Sequence, residues 1–244
     1  MRTLFIIPAF NEGKNIGRVI DDLREHVPEG DIVVMDDGSS DGTARVAEGR
    51  RVPVVSLPFN VGIGATMQAG YLYARRRGYD AAVQFDGDGQ HCADQVAGLL
   101  RPVLEGAADI VVGSRFLDMR THRPGWSRLV GIRILSAVVS ALVGQRVTDP
   151  TSGFRAVNRP VIERFSESYP DDYPEPESLV LLHRWGFRLR ETPVAMRDRL
   201  EGSSTITFVR GIYYMVKVVL AIFVDMMKPV TSGAGSGGAV GGEA

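Results

Sequence analysis

Apolar runs at residues 4–7, 32–35, 52–57, 81–85 and 110–112 punctuate the first half of the chain, each bounded by Gly, Pro or Asp. Segments this short and this apolar read as strands buried on both faces. Between them lie helical patterns. Ile16, Val19, Ile20, Leu23 and Val27 fall at the 3–4 spacing of one helix face, as do Val96, Leu99, Leu100, Val103 and Leu104, with Pro102 expected to kink the second helix. Regular alternation of strand and helix leaves few folds open: a three-layer α/β/α arrangement with a largely parallel central sheet and helices on both faces. At 244 residues and 44% hydrophobic, the chain can bury one such core and carry an appendage, which excludes a disordered protein.

In sheets of this kind ligands bind beyond the carboxyl ends of the strands. The residues there are Pro8-Ala9-Phe10-Asn11-Glu12, Asp36-Asp37-Gly38-Ser39-Ser40-Asp41, Asn60-Val61-Gly62-Ile63-Gly64, Asp86-Gly87-Asp88-Gly89-Gln90 and Gly113-Ser114-Arg115. All are polar, acidic or glycine-rich, so one polar edge is expected. The fourth of these motifs raises the sharpest question, because Asp86 and Asp88 flank a glycine and repel each other unless a cation lies between them. A hard divalent cation relieves that repulsion and keeps coordination positions free for phosphate oxygens, with Gln90 as a possible neutral oxygen donor. A lone DGD can equally be a surface turn, but that reading leaves the other polar strand ends unexplained. No G-x-G-x-x-G follows the first strand and no G-x-x-x-x-G-K-[ST] occurs, which disfavours a dinucleotide site or a P-loop. Glu12, Asp36 and Asp37 instead suit base N–H groups and ribose hydroxyls, and the metal site suits a diphosphate. Together they describe a nucleotide-sugar pocket.

The formal net charge of −1 offers no field for nucleic acid, and Arg75-Arg76-Arg77 reads as a solvated helix end. A single cysteine, Cys92, excludes a disulfide framework and a thiolate metal cluster. The apolar start is too short for a signal-peptide core, so no export is expected. Beyond residue 118 a helix is expected at 132–143, a Pro- and acid-rich loop at 169–177, a helix at 180–185, and a Gly-rich tail from Thr231 without fixed structure.

The segments "IIPAFNEGKNI", "VVMDDGSSDGT", "NVGIGATMQAG", "QFDGDGQH", "VVGSRF" and "TDPTSGFRAVNR" together resemble the successive motifs of the family 2 glycosyltransferases of GT-A (Rossmann-like) fold. Within that family the resemblance is to the dolichyl- and polyprenyl-phosphate sugar transferases, over roughly residues 1–204. The resemblance implies a catalytic domain at 1–204 using Mg²⁺ or Mn²⁺ and a UDP- or GDP-linked sugar. Pro8, Glu12 and Asp37 would hold the nucleoside, with Phe10, Asp36, Gly64 and Gly87 on the donor side. Asp86, Asp88 and Gln90 would hold the metal, and Arg115 would face the phosphates. Arg133, in "RILS", resembles an element near the acceptor phosphate, and Arg199, in "DRLEGSS", a loop closing over the diphosphate. Ser152 and Gly153 would shape the acceptor pocket. Two departures stand out: Cys92 and Ala93 replace the prolines that often follow the metal motif, and Thr205 stands where a lysine is common.

The implied reaction inverts the anomeric carbon. A lipid phosphate acceptor is already ionised and needs no strong base, whereas an alcohol acceptor needs one. Candidates for a base are Asp149, Glu175 and Glu177, each of which could equally cap a helix or pair with an arginine; Glu177 is assigned the catalytic role. His91 and His183 read as structural.

Over residues 206–228 a narrow stripe of Thr207, Arg210, Tyr214, Lys217, Ala221, Asp225 and Lys228 runs along an otherwise apolar helix, about 33 Å long at ~1.5 Å per residue. Its charges interrupt any membrane-spanning run, so the helix (domain boundary 205–228, tail 229–244) is expected to lie in a membrane interface or to pack on the catalytic domain, a homodimer mate or a small membrane-protein partner. The expected location is cytoplasmic and peripheral at the inner face of the membrane. The alternatives are a glycosyltransferase acting on a soluble or glycan hydroxyl, and an inactive GT-A binding module.

Overall fold

The computed structural model describes residues 1–118, 126–197, 217–221, 223 and 224, with the backbone alone at 126–128. Seven strands form one sheet in the order β3-β2-β1-β4-β6-β5-β7. They are β1 (Thr3–Ala9), β2 (Asp31–Asp36), β3 (Val54–Ser56), β4 (Ala81–Gln84), β5 (Ile110–Ser114), β6 (Arg155–Asn158) and β7 (Leu189–Pro193). Every neighbouring pair is parallel except those made by β6, which runs antiparallel to both β4 and β5.

The helices are α1 (Ile16–His26), α2 (Thr43–Gly49), α3 (Ile63–Arg77), α4 (Val96–Leu104), α5 (Trp126–Val143), α6 (Arg159–Glu167) and α7 (Pro174–Arg184). Alternation along β1 assigns the two faces: Leu4 and Ile6 join one core cluster with Met67, Tyr71, Leu135, Phe165 and Leu179, while Phe5 and Ile7 join the other with Ile16, Ile20, Leu23, Leu99 and Val103. Thus α3, α5, α6 and α7 cover one face and α1, α2 and α4 the other. The expected helix faces at Ile16–Leu23 and Val96–Val103 are the buried ones, and α4 ends two residues after Pro102. Arg75, Arg76 and Arg77 are the exposed last turn of α3.

The second half of the chain differs most from the sequence reading: α5 starts at Trp126 rather than 132, and α6 was not expected. β6 and β7 were not anticipated, since "RAVN" and "LRETP" are short and polar. β7 tolerates this because it is an edge strand ending at Pro193, where a missing N–H costs nothing. The expected loop at 169–177 becomes helical from Pro174, which occupies the first turn of α7, where proline lacks only an N–H that would have no helical partner. Among the described residues no helix is long and apolar enough to cross a membrane. Of the C-terminal helix expected at 206–228, Lys217–Ala221, Phe223 and Val224 are described: Val218 is buried in the core cluster of α5–α7, while Leu220, Phe223 and Val224 are exposed.

Candidate active site

The loops after β1 and β2 hold each other. Asn11 adopts a left-handed backbone (φ 56), a conformation Asn tolerates. Its amide donates to Ser39 Oγ (2.9 Å) and its Oδ1 accepts from the Ser40 amide (2.9 Å). The Glu12 amide donates to Thr43 Oγ1 (2.9 Å) and that of Gly13 to Asp41 Oδ2 (2.9 Å). Burial opposes ionisation of Asp41, but hydrogen bonds from the Thr43 hydroxyl and the Gly13 and Thr43 amides outweigh it and hold the carboxyl below its usual range. The acidic loop after β2 is thereby a brace for the loop after β1.

A cleft of about 440 Å³ opens beyond β1, β2 and β4. Of the residues expected on the donor side or at the metal, Pro8, Phe10, Glu12, Asp37, Asp86, Gly87 and Asp88 line it. Asp37 is 4% exposed; its two oxygens accept the amides of Val61 (2.7 Å) and Gly62 (3.1 Å), fixing the third loop against the second. Asp86 keeps 37% of its side chain exposed, and Asp88 Oδ1 accepts the Gln90 amide at 3.0 Å. His91 is buried, stacked on Phe154 (centroids 4.6 Å apart), and its Nδ1 accepts the Asp86 amide at 3.0 Å. Burial lowers its pKa, against the raising effect of Asp86 and Asp88. A neutral ring with Nε2–H facing Asp86 Oδ2 at 3.5 Å follows, which makes His91 a residue that sets the DGD turn.

Other expected residues stand elsewhere. Asp36 is buried, accepting the Ser39 amide (3.2 Å), and shapes the turn rather than the cleft wall. Gly64 belongs to packing: a Cβ there would sit 2.4 Å from the backbone oxygens of Pro170 and Asp171, so its absence lets α3 abut the segment before α7. Arg115 does not face the cleft. Its guanidinium grips Asp149 through Nε (2.6 Å) and an Nη (2.7 Å), both residues being buried. Asp149 also accepts the Arg115 amide (3.1 Å) and the Thr151 hydroxyl (3.1 Å). A carboxylate so engaged is a structural anchor, which removes Asp149 from the candidate bases. Ser152 is buried, with its hydroxyl accepting the Phe154 amide. Gly153 abuts the DGD turn, where a Cβ would lie 3.1 Å from Asp86 Oδ2. The Gln90 backbone pairs with Asp88 and, through its carbonyl, with the Arg197 amide (2.9 Å). Arg133 is exposed on α5, and Arg199 lies outside the described residues.

The carboxylate that reaches the cleft from α7 is Glu175, not Glu177. Two residues along a helix rotate the side chain by about 200°, so Glu177 lines a larger cleft of about 770 Å³ on the other side of α7, with Tyr169 and Trp185. Burial raises the Glu175 carboxyl above its usual range, opposed by Arg155 and assisted by Asp86. Arg155 is 1% exposed at the start of β6. It donates to the carbonyls of Ser152 (2.7 Å) and Glu175 (2.8 Å) and to Ser178 Oγ (2.6 Å), tying the 150–153 loop to the first turn of α7. The sequence reading gave Arg155 no role; its signal was a charge entering an apolar strand, "GFRAV". Gln84 and Thr66, both in the cleft lining, were missed as well.

Residues 4–165 match the model of glycosyl transferase family 2. The chain is 33% identical over 216 residues to the polyprenol monophosphomannose synthase of Mycolicibacterium smegmatis (84% of this chain, 81% of that one). It is 32% identical over 224 residues to the undecaprenyl-phosphate mannosyltransferase of Micrococcus luteus (85% and 88%). Its fold is similar to that of the glucosyl-3-phosphoglycerate synthase of Mycobacterium tuberculosis, solved with Mn²⁺ and UDP, with a TM-score of 0.69 at 23% identity over 92% of this chain and 79% of that one. The parallel sheet with its one reversed strand, the DGD turn at the end of β4 and these matches agree: the chain is a glycosyltransferase of GT-A fold and belongs to glycosyl transferase family 2.

Proposed function

We propose that this enzyme transfers a sugar from a nucleoside-diphosphate sugar to a polyprenyl (dolichyl-like) phosphate, with inversion at the anomeric carbon. The carrying observation is that relatives 33% and 32% identical over most of the chain are named for polyprenol and undecaprenyl-phosphate substrates. The nucleoside lies against Pro8, Phe10, Glu12 and Asp37, the diphosphate at the DGD turn, and the sugar toward β6 and α7.

Asp86 and Asp88 offer hard oxygens from a single turn, and Gln90 is the proposed neutral third donor. Among the described residues no group of three or more His, Cys, Asp or Glu could hold a metal. So sparse a set suits Mg²⁺ or Mn²⁺ that completes its shell with diphosphate and water. When bound, such a cation neutralises charge gathering on the leaving diphosphate. The acceptor phosphate oxygen forms the new bond to the anomeric carbon as the bond to the diphosphate breaks, the electron pair leaving with the diphosphate. Arg133 is proposed to meet the acceptor phosphate and Arg199 to close over the diphosphate.

The helix over 206–228 is proposed to hold the enzyme at the cytoplasmic face of the membrane, where its lipid acceptor resides. Exposure of Leu220 and Phe223, each 62%, supports this. Glu175 favours one alternative, transfer to a hydroxyl, because a cleft carboxyl of raised pKa is suited to take a hydroxyl proton. Incubation with a panel of radiolabelled UDP- and GDP-sugars plus polyprenyl phosphate, followed by extraction, tests the reading. Label should enter the organic phase with one donor; label passing only to water-soluble acceptors would refute it.

A further inference from the structure

Two residues of the cleft lining carry buried polar atoms without a partner among the described residues. Gln84 and Thr66 are each 1% exposed, and among the described residues neither Gln84 Oε1 nor Thr66 Oγ1 has a hydrogen-bond partner. Both residues line the cleft. The Gln84 side-chain amide makes a long contact, from Nε2 to Asp86 Oδ1 at 3.5 Å. Buried polar atoms are nearly always satisfied. Two orphans on one cleft lining therefore point to hydrogen bonds completed by whatever occupies the cleft.

Position identifies the occupant. On the sheet, β4 stands between β1 and β6. The nucleoside-holding residues Glu12 and Asp37 follow β1 and β2, and Asp86 and Asp88 follow β4. Gln84 looks to the other side: it pairs in register with Arg155 on β6, and a Cβ on Gly153 would lie 2.9 Å from its Nε2. Across that space stands Glu175, carried by the α7 turn whose carbonyl Arg155 holds. A nucleotide sugar carries its diphosphate between nucleoside and sugar, so with its nucleoside beyond β1 and β2 and its diphosphate at the DGD turn, the space left for the sugar is on the β6 and α7 side. Directly opposite residues of an antiparallel pair share a face, which places Gln84 with Arg155 on that side.

We propose that Gln84, assisted by Thr66, is a specificity-determining residue that hydrogen-bonds hydroxyl groups of the transferred sugar. The unpartnered Oε1 accepts a sugar hydroxyl proton, and Thr66 Oγ can donate or accept. This rests on the cleft being a nucleotide-sugar site. A site built to pair a hydroxyl discriminates strongly against an analogue lacking it, because its own polar group is then left unpaired.

The test is equilibrium binding, by calorimetry on the full chain, of the nucleoside diphosphate alone, the nucleotide sugar that wild type turns over, and its monodeoxy analogues. Gln84→Leu should weaken the nucleotide sugar by ~10-fold and leave the nucleoside diphosphate unchanged, while thermal melting shows no loss of stability, since the substitution removes an orphaned acceptor. Thr66→Val, which keeps the side-chain shape, should give a smaller loss of the same selectivity. One deoxy analogue should bind wild type as weakly as the parent sugar binds Gln84→Leu, with no further loss on that variant. Equal weakening of diphosphate and nucleotide sugar, or no change in either, overturns the assignment while leaving the donor site intact. If wild type binds no nucleotide at all, the reading of the cleft falls and this proposal with it.

Discussion

Two carboxylates two residues apart have opposite fates, and the difference is chemical. Glu175 reaches the cleft and its carboxyl is raised from the usual value of 4.5, first by burial. As pH rises past that value the unfolded chain loses its proton before the folded one, so the folded state binds more protons and this group's contribution to stability falls with pH. Glu175→Gln should therefore raise the melting temperature relative to wild type near neutral pH, with the gap closing below about pH 4.5. The same variant separates the acceptors: transfer to an ionised phosphate should survive it, whereas transfer to a hydroxyl should drop by ~10²-fold or more. Asp149 and Arg115 illustrate the opposite case of a functional expectation that became structure. The motif residues were visible in the sequence, but which arginine faces phosphate and which is neutralised by a buried aspartate depends on a contact 34 positions away. Arg115→Ala strands the Asp149 carboxylate, and denaturant unfolding should show a loss of about 3–5 kcal/mol.

At the scale of elements, periodicity carried the sequence reading as far as β5. The β1–α4 segment repeats strand and amphipathic helix with clear apolar faces, and Leu23 on α1 is fully buried. Leu23→Ala should cost about 2–5 kcal/mol by the same unfolding measurement, through lost burial and the cavity left behind. Past residue 150 local patterns weaken: β6 begins with a buried arginine, and β7 alternates poorly because only one of its neighbours covers it. Their strand character comes from the ladder itself, not from their residues. The start of α7 was hidden for a related reason, as its first turn carries Pro174, Glu175, Pro176 and Glu177, a composition that reads as a loop without the buried face that packs Leu179 and Leu182.

Across the whole molecule the polar cleft lies at one edge of the sheet, while the described C-terminal turn docks Val218 into the α5–α7 core and turns Leu220, Phe223 and Val224 outward. Leu220→Glu combined with Phe223→Glu should abolish flotation with anionic polyprenyl-phosphate liposomes and slow lipid transfer, yet leave slow hydrolysis of the nucleotide sugar unchanged, because the donor cleft is built from residues 8–175. Sedimentation checks the competing dimer role: a fall from dimer to monomer in that variant would assign those side chains to a protein interface. The most direct measurement is transfer of radiolabelled sugar into the organic phase by wild type and Asp88→Ala, each with and without excess EDTA. Wild type should label the lipid, and either the loss of Asp88 or the removal of divalent cation should cut the rate by ~10²-fold or more. Wild-type transfer undiminished by EDTA, or an Asp88→Ala variant as fast as wild type, would contradict a reaction run at the DGD turn.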